Sequence, residues 1–214
     1  MRTVSVDEAV AMIPDGATLM IGGFMGVGSP ERLIDGLVRQ GKRNLTVIAN
    51  DTAIPGRGIG KLVDSGLVSH TVASHIGLNP ETQRQMIAGK MAVDLVPQGT
   101  LIERIRAAGC GLGGVLTPTG IGTVVEEGKQ KIEIDGKSYL LEKALRADFA
   151  LINAFLADYL GNLSYALTAR NFNPVMAMAA DLTIVQVKEM VDLGEIDPDG
   201  VHTPGIFVDR IVVV

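Results

Sequence analysis

Tryptophan is absent from this chain of 214 residues, and phenylalanine (5) and tyrosine (3) are few. So sparse an aromatic set supplies no platform for stacking bases or sugar rings. Positive charge is also short, with 19 Lys+Arg against 24 Asp+Glu and a formal net charge of -5. A chain of that sign carries no phosphate-tracking groove, which excludes nucleic acid as a partner. The one cysteine, Cys110, can form no internal disulfide, so the fold does not rely on an oxidising compartment, and a buried structural thiol is expected there. No run approaches ~18 uninterrupted apolar residues, so no membrane span is expected. Asp7 and Glu8 precede any apolar stretch, which argues against a secretory leader and for a cytoplasmic protein. His70 and His75 lack metal-ligand spacing and His202 stands alone, so no metal site is expected. A G-x-S-x-G nucleophile elbow is missing too.

Glycine, by contrast, is abundant: 26 residues, roughly 12% against a usual ~7%. Apolar β-branched runs alternate with helical periodicity from the start. Ser5 and Glu8 form a capping box that opens a helix ending near Pro14. Strands are expected over 17–21, 45–49, 68–73 and 91–96. Between them, Leu33, Ile34, Leu37 and Val38 stripe one helix, with Ser29 expected as N-cap and Pro30 as its first residue. Asn79-Pro80 opens another helix, and Leu101, Ile102, Ile105 and Ala108 stripe a third. Such repetition with short links is the signature of an α/β fold: a mostly parallel, helix-covered sheet. The pattern breaks after Gly109. Short alternating runs at 124–127, 131–134 and 138–141, with Asp135-Gly136 as a hairpin turn, predict a small antiparallel insertion at about 123–142. Parallel strands resume at 149–154, 182–187 and 206–214, and a single domain over 1–214 is expected.

Four stretches could carry chemistry. In the first, a buried strand runs into Gly22, Gly23, Phe24, Met25, Gly26, Val27 and Gly28 and then a helix N-terminus. Missing side chains there let a ligand lie against backbone N–H groups, although a tight turn would use the same glycines. The order G-x-x-G-x-G is neither the dinucleotide fingerprint nor a phosphate loop. Asn50-Asp51-Thr52 follows a strand, where ligands collect in open α/β sheets, but an Asx-turn would read alike. Gln98 opens a helix after another strand; its amide is able to donate to an oxyanion, or merely be solvated. Last come the glycines at 111–114 with Thr117-Pro118-Thr119-Gly120, where a C-cap and bend account for part of the pattern. Glu126 and Glu127 read as solvated.

Taken together these segments resemble the α subunit of the short-chain acyl-CoA transferases, which include 3-oxoacid, acetate and butyrate–acetoacetate CoA-transferases. The likeness begins with Asp-Gly-x-x-Leu-Met-Ile-Gly-Gly-Phe-x-x-x-Gly-x-Pro at 15–30. It continues through Ala49-Asn50-Asp51, Ser74-His75-Ile76-Gly77, 95–101 and 117–123, and ends with Ala169-Arg170-Asn171-Phe172-Asn173-Pro174. The resemblance implies that residues 22–28 form a loop associated with coenzyme A, which is a substrate; no tightly bound cofactor is implied. It implies that Asn50 and Gln98 line the reacting carboxyl end of the site. Some members have Asn-Asn in place of Asn50-Asp51, so no role carries over to Asp51. It further implies ping-pong transfer through a glutamyl-CoA thioester. The family's nucleophilic glutamate lies in a Ser-Glu-Asn-Gly segment, which this chain does not contain. That segment belongs to a β subunit, so the expected assembly is α2β2 with the active site between unlike chains. Glu81 and Glu103 are the nearest alternatives within the chain, and surface roles suit them better. Two other readings stand beside this one: a self-sufficient sugar-phosphate isomerase-like enzyme, and a non-catalytic CoA- or nucleotide-binding module.

Overall fold

The computed structural model describes residues 3–214. Its strands are β1 (Thr18–Ile21), β2 (Leu45–Asp51), β3 (Val68–His75), β4 (Ala92–Leu95), β5 (Gly114–Thr117) and β6 (Lys131–Ile134). After these come β7 (Lys137–Lys143), β8 (Ala147–Asp158), β9 (Leu163–Ser164), β10 (Ala180–Val191) and β11 (Arg210–Val213). The helices are α1 (Val6–Ala11), α2 (Glu31–Gln40), α3 (Gly60–Asp64), α4 (Pro80–Ile87), α5 (Gln98–Gly109) and α6 (Asn173–Met176).

The main sheet runs β11-β10-β8-β1-β2-β3-β4, every neighbouring pair parallel, with β9 antiparallel to β8. Helices cover both faces, which is why its strands are apolar nearly throughout rather than alternating. Leu19 and Ile21 of β1 pack with Leu33, Leu37 and Leu62 on one face. Met20, pointing the other way, packs with Leu101, Ile105 and Met176. From β1 the chain walks outward through β2, β3 and β4, then returns to the far side of β1 as β8. The strand order therefore reverses between β1 and β8, and ligands of open α/β sheets bind beyond the carboxyl ends of strands at such a reversal.

The capping box is present: Ser5 Oγ accepts from Glu8 N (3.2 Å) and Glu8 accepts from Ser5 N (2.8 Å). Asn79 caps α4 as expected, accepting from Glu81 and Thr82. The cap expected at Ser29 is absent. Helix α2 starts at Glu31, and the buried Ser29 hydroxyl lies against Gly23 instead. One orphan N–H of the first turn, that of Arg32, is satisfied from across the sheet by Gln186 Oε1 at 2.8 Å.

The small antiparallel sheet is ordered β5-β7-β6, and Asp135-Gly136 make its turn with positive φ. Its third strand is β5, not the 124–127 segment, where Val124–Glu126 is a 3-10 turn capped by Thr123. The element therefore reaches back to Gly114 at its start, while its end, at Lys143, is where it was expected. The last strand is also shorter than expected, because Gly205–Phe207 forms a 3-10 turn before β11. Cys110 is exposed, correcting the expectation of burial: it is the C-cap of α5, one position beyond the end of the helix.

Candidate active site

The glycine loop begins where β1 ends, at the reversal of strand order. Gly22 N–H donates to Leu151 O of β8 at 3.0 Å, and Phe24 and Val27 exchange backbone bonds of 3.0 and 2.8 Å, closing the loop tip. Met25 takes a left-handed φ of 50° at that tip. Asn173, fully buried at the start of α6, holds the loop's base. Its Oδ1 accepts from Asn153 N (3.1 Å), and its Nδ2 donates to Gly28 O (3.0 Å) and Ala169 O (2.8 Å). Gly22 is glycine for this reason, since a Cβ there would lie 1.7 Å from Asn173 Oδ1. Asn171 adds a strap through Nδ2 to Val27 O at 3.0 Å.

The loop does not present a bare backbone. Four of its N–H groups, those of Gly22, Phe24, Met25 and Val27, are consumed within the protein, so a cradle of backbone donors is largely closed. It offers apolar side chains: Phe24, Met25 and Val27 are 42–43% exposed on the wall of a cleft of about 630 Å³.

Beside the loop lies a polar network drawn from the carboxyl ends of three strands. Asp51 at the end of β2 is buried and accepts three bonds, from Met25 N (2.9 Å), Asn50 Nδ2 (2.7 Å) and Ala53 N (2.7 Å). Asn50 Oδ1 accepts from Gln98 Nε2 at 2.6 Å, and Ser74 Oγ lies 3.2 Å from the same oxygen and 2.7 Å from Asn50 O. A carboxylate accepts only, so it obliges Asn50 to turn its NH₂ toward Asp51 and its carbonyl toward Gln98. Gln98 must then meet Asn50 with its NH₂. One N–H of that group is used, and the second leaves an exposed side chain at the head of α5 able to donate. Asn50 itself is 2% exposed, and its side chain meets Asp51, Ser74 and Gln98.

The two candidates expected at 50 and 98 are thus brought together, and the loop at 22–28 is joined to them through Asp51. Sequence reasoning did not single out Asp51 as that link, nor Ser74 or Asn173 as braces. A single sequence carries no local signal for these long-range bonds, although each residue stands in a quoted motif. Glu81 and Glu103 are outside the network, paired with Arg84 (2.6 Å) and Arg106 (3.0 Å) on helix surfaces. Hydrogen bonds from Arg84 and then Gln85 hold the Glu81 carboxyl at about 2. Cys110 lies at the opposite end of α5 from Gln98, ~18 Å away at the helical rise.

Two further titratable groups lie near the loop's far brace. Burial raises the Tyr165 phenol well above its ordinary range, opposed by its 2.7 Å hydrogen bond with Thr203. Burial also holds the His202 imidazole below its usual value, and the positive charge of Arg170 acts in the same direction.

Comparison with known proteins identifies the family. The chain matches the Coenzyme A transferase family over residues 3–214. It is 57% identical over 212 residues to the acetate CoA-transferase subunit alpha of Escherichia coli (strain K12), covering 99% of this chain and 96% of that one. It is 50% identical to the acetoacetyl-CoA:acetate/butyrate CoA transferase alpha subunit of Clostridium acetobutylicum, covering 99% and 97%. Among solved structures it superimposes on the acyl-CoA transferase YdiF of E. coli O157:H7, in a thioester complex with CoA. That match has a TM-score of 0.88 at 30% identity and covers 99% of this chain, which spans 47% of YdiF. With a family match over nearly its whole length and close relatives named as alpha subunits, the chain belongs to the coenzyme A transferase family.

Proposed function

We propose that this chain is the α subunit of a heteromeric, cytoplasmic enzyme that moves CoA between an acyl-CoA and a short-chain carboxylate. The carrying observation is the Asp51–Asn50–Gln98 network, which points an amide donor outward beside the reversal of strand order. The nucleophile is a glutamate of a β subunit, in a Ser-Glu-Asn-Gly segment, within an α2β2 assembly. Its carboxylate attacks the thioester carbonyl and CoA leaves as the thiolate, giving an acyl-glutamyl anhydride. The thiolate then attacks the glutamyl carbonyl, the first acid departs, and a glutamyl-CoA thioester remains. A second acid runs the steps in reverse. Splitting the exchange in this way replaces one difficult step by easier ones, and each net exchange of one thioester for another is nearly energy-neutral.

Both additions put negative charge on a former carbonyl oxygen. The outward N–H of Gln98 serves that oxyanion, and Asn50 and Asp51 fix its direction before the reaction begins, so little reorganisation is needed. Residues 22–28 serve the CoA arm through the side chains of Phe24, Met25 and Val27, and CoA acts as substrate rather than resident cofactor.

The test is purification of the tagged chain from its host, followed by Gln98→Ala in the assembled enzyme. A second chain of similar size bearing Ser-Glu-Asn-Gly is expected, with kcat reduced roughly 100-fold by the substitution and a smaller effect on acyl-CoA affinity. A chain active by itself would support the isomerase-like reading. Ligand binding with no partner that restores activity would support the binding module. An unchanged rate in Gln98→Ala removes Gln98 from the site.

A further inference from the structure

A second cavity, of about 490 Å³, lies between the head of α5 and β5. Gly99, Thr100 and Glu103 of α5 form one wall, and Val115, Leu116 and Thr117 of β5 form the other. At Gly99 no heavy atom stands within 4 Å of where a Cβ would be, so the helix head opens onto free space. Thr100 is 4% exposed, and among the described residues its hydroxyl is the one buried side-chain polar atom with no hydrogen-bond partner. Across the cavity, Thr117 Oγ1 is held by Thr119 N at 3.1 Å. No side chain caps α5, so the orphan N–H groups of its first turn add positive potential at the same place.

An unmade hydrogen bond at a buried hydroxyl costs about 1–3 kcal/mol, and a ligand oxygen in this cavity is the partner the fold does not supply. Its position on the helix says which oxygen. Gln98 and Thr100 stand about 100° to either side of Gly99, with Cα atoms ~5.4 Å apart at ideal geometry. A ligand over Gly99 therefore has the Gln98 amide on one flank and the Thr100 hydroxyl on the other. If Gln98 serves the oxygen on the first carbon of an acyl chain, Thr100 falls beside a group on the third. Val115 and Leu116 suit an uncharged chain, and Glu103, one turn along α5, repels a second carboxylate.

We propose that this cavity holds the acyl chain, and that Thr100 donates its hydroxyl proton to a carbonyl oxygen on the chain's third carbon. A ketone oxygen only accepts and a hydroxyl donates, so the two are matched. The enzyme then selects 3-oxo monocarboxylic acids over saturated acids of the same length, which leave the hydroxyl unpaired. The inference rests on the transferase reading above and adds the residue that reads the acid.

The experiment uses the assembled enzyme with acetyl-CoA as common donor and 3-oxobutyrate, butyrate or succinate as acceptor. The first two have four carbons each and differ only at the third. Wild type should show kcat/KM roughly tenfold higher for 3-oxobutyrate than for butyrate, with succinate the poorest acceptor. Thr100→Val, close in size but without the hydroxyl, should bring 3-oxobutyrate down to the level of butyrate and leave butyrate unchanged. Thr100→Ser should keep the preference. Butyrate turnover in the same preparation reports folding and assembly, and Thr100→Ala takes the place of Thr100→Val if that variant does not assemble. A wild type without the preference, or one that uses succinate as well as 3-oxobutyrate, overturns the proposal. So does a preference that survives removal of the hydroxyl, or an equal loss on both four-carbon monoacids. A wild-type assembly that transfers CoA to none of the three acids refutes the transferase reading itself, a failure distinct from these.

Discussion

Gly22 and Asn173 should be coupled more strongly than any other pair in the site. An alanine Cβ at 22 would sit 1.7 Å from Asn173 Oδ1 and 2.6 Å from its Cγ, and Asn173 has no exposed surface into which to retreat. Its amide would have to turn, giving up bonds to Asn153 N, Gly28 O and Ala169 O. At about 1 kcal/mol for each bond and about 1 kcal/mol or more for overpacking, Gly22→Ala should cost roughly 4 kcal/mol. Asn173→Ala loses the same three bonds and should cost roughly 3 kcal/mol. In the double variant the clash is gone and the added methyl enters space the amide vacated. The total should therefore be roughly 3 kcal/mol instead of the additive ~7, a coupling of about 4 kcal/mol. The assay is urea denaturation of the assembled enzyme at fixed subunit concentration, with the slope checked for constancy. Additivity to within about 0.5 kcal/mol would refute the claim that Gly22 exists to admit Asn173.

Three other outcomes follow from the same geometry. Asp51→Asn keeps an oxygen toward Met25 and Asn50 but sets an NH₂ against Ala53 N–H, so about 1–3 kcal/mol of stability should be lost while kcat falls less than in Gln98→Ala; equal losses of kcat in the two variants would contradict this. Asn79→Ala removes the α4 cap and the buried 2.9 Å bond to Thr52 O, costing about 2 kcal/mol in urea unfolding, and Asn79→Ser should recover about 1 kcal/mol by restoring the cap alone. For His202 the folded pKa lies below the unfolded value, so between the two the unfolded chain binds more protons and stability rises with pH. Stability should be whole above the unfolded value of ~6.5 and decline as pH falls toward the folded one. The urea midpoint of His202→Gln should be flatter than wild type between pH 8 and pH 5.5, and parallel curves would dismiss the effect.

Elements whose signals are local were legible in the sequence. The Ser5–Glu8 box, the Asn79-Pro80 start and the Asp135-Gly136 turn are each specified within a few residues, and each occurs as read. The buried strands were legible because both faces of the sheet are covered. The N-terminus of α2 was not, since the Arg32 N–H is satisfied by Gln186, 154 positions away, and the Ser29 hydroxyl sits in the space beside Gly23. Val124–Glu126 has strand-like composition, but the edge it would occupy is taken by β5. In the site, the types and places of Asn50 and Gln98 were readable from motif and strand end. Their 2.6 Å contact spans 48 residues, and the Asn173 brace on Gly28 spans 145, distances over which a single sequence holds no pattern.

The pairing of β1 has a consequence for how the chain acquires its shape. β1 is bounded by β2, which follows within thirty residues, and by β8, which arrives only after Ile134, Lys143 and the whole small sheet have been made. Until then the middle of the finished sheet is an open edge carrying Leu19, Met20 and Ile21, held later by bonds such as Thr18 N to Asp148 at 2.7 Å. The order of synthesis therefore runs from an incomplete half-sheet to a closed centre, with the most buried strand waiting longest for its second neighbour. Slow, late closure and a sticky unfinished N-terminal half are built into that topology. The crevice between β1 and β8, where the glycine loop sits, is among the last places on the molecule to take form.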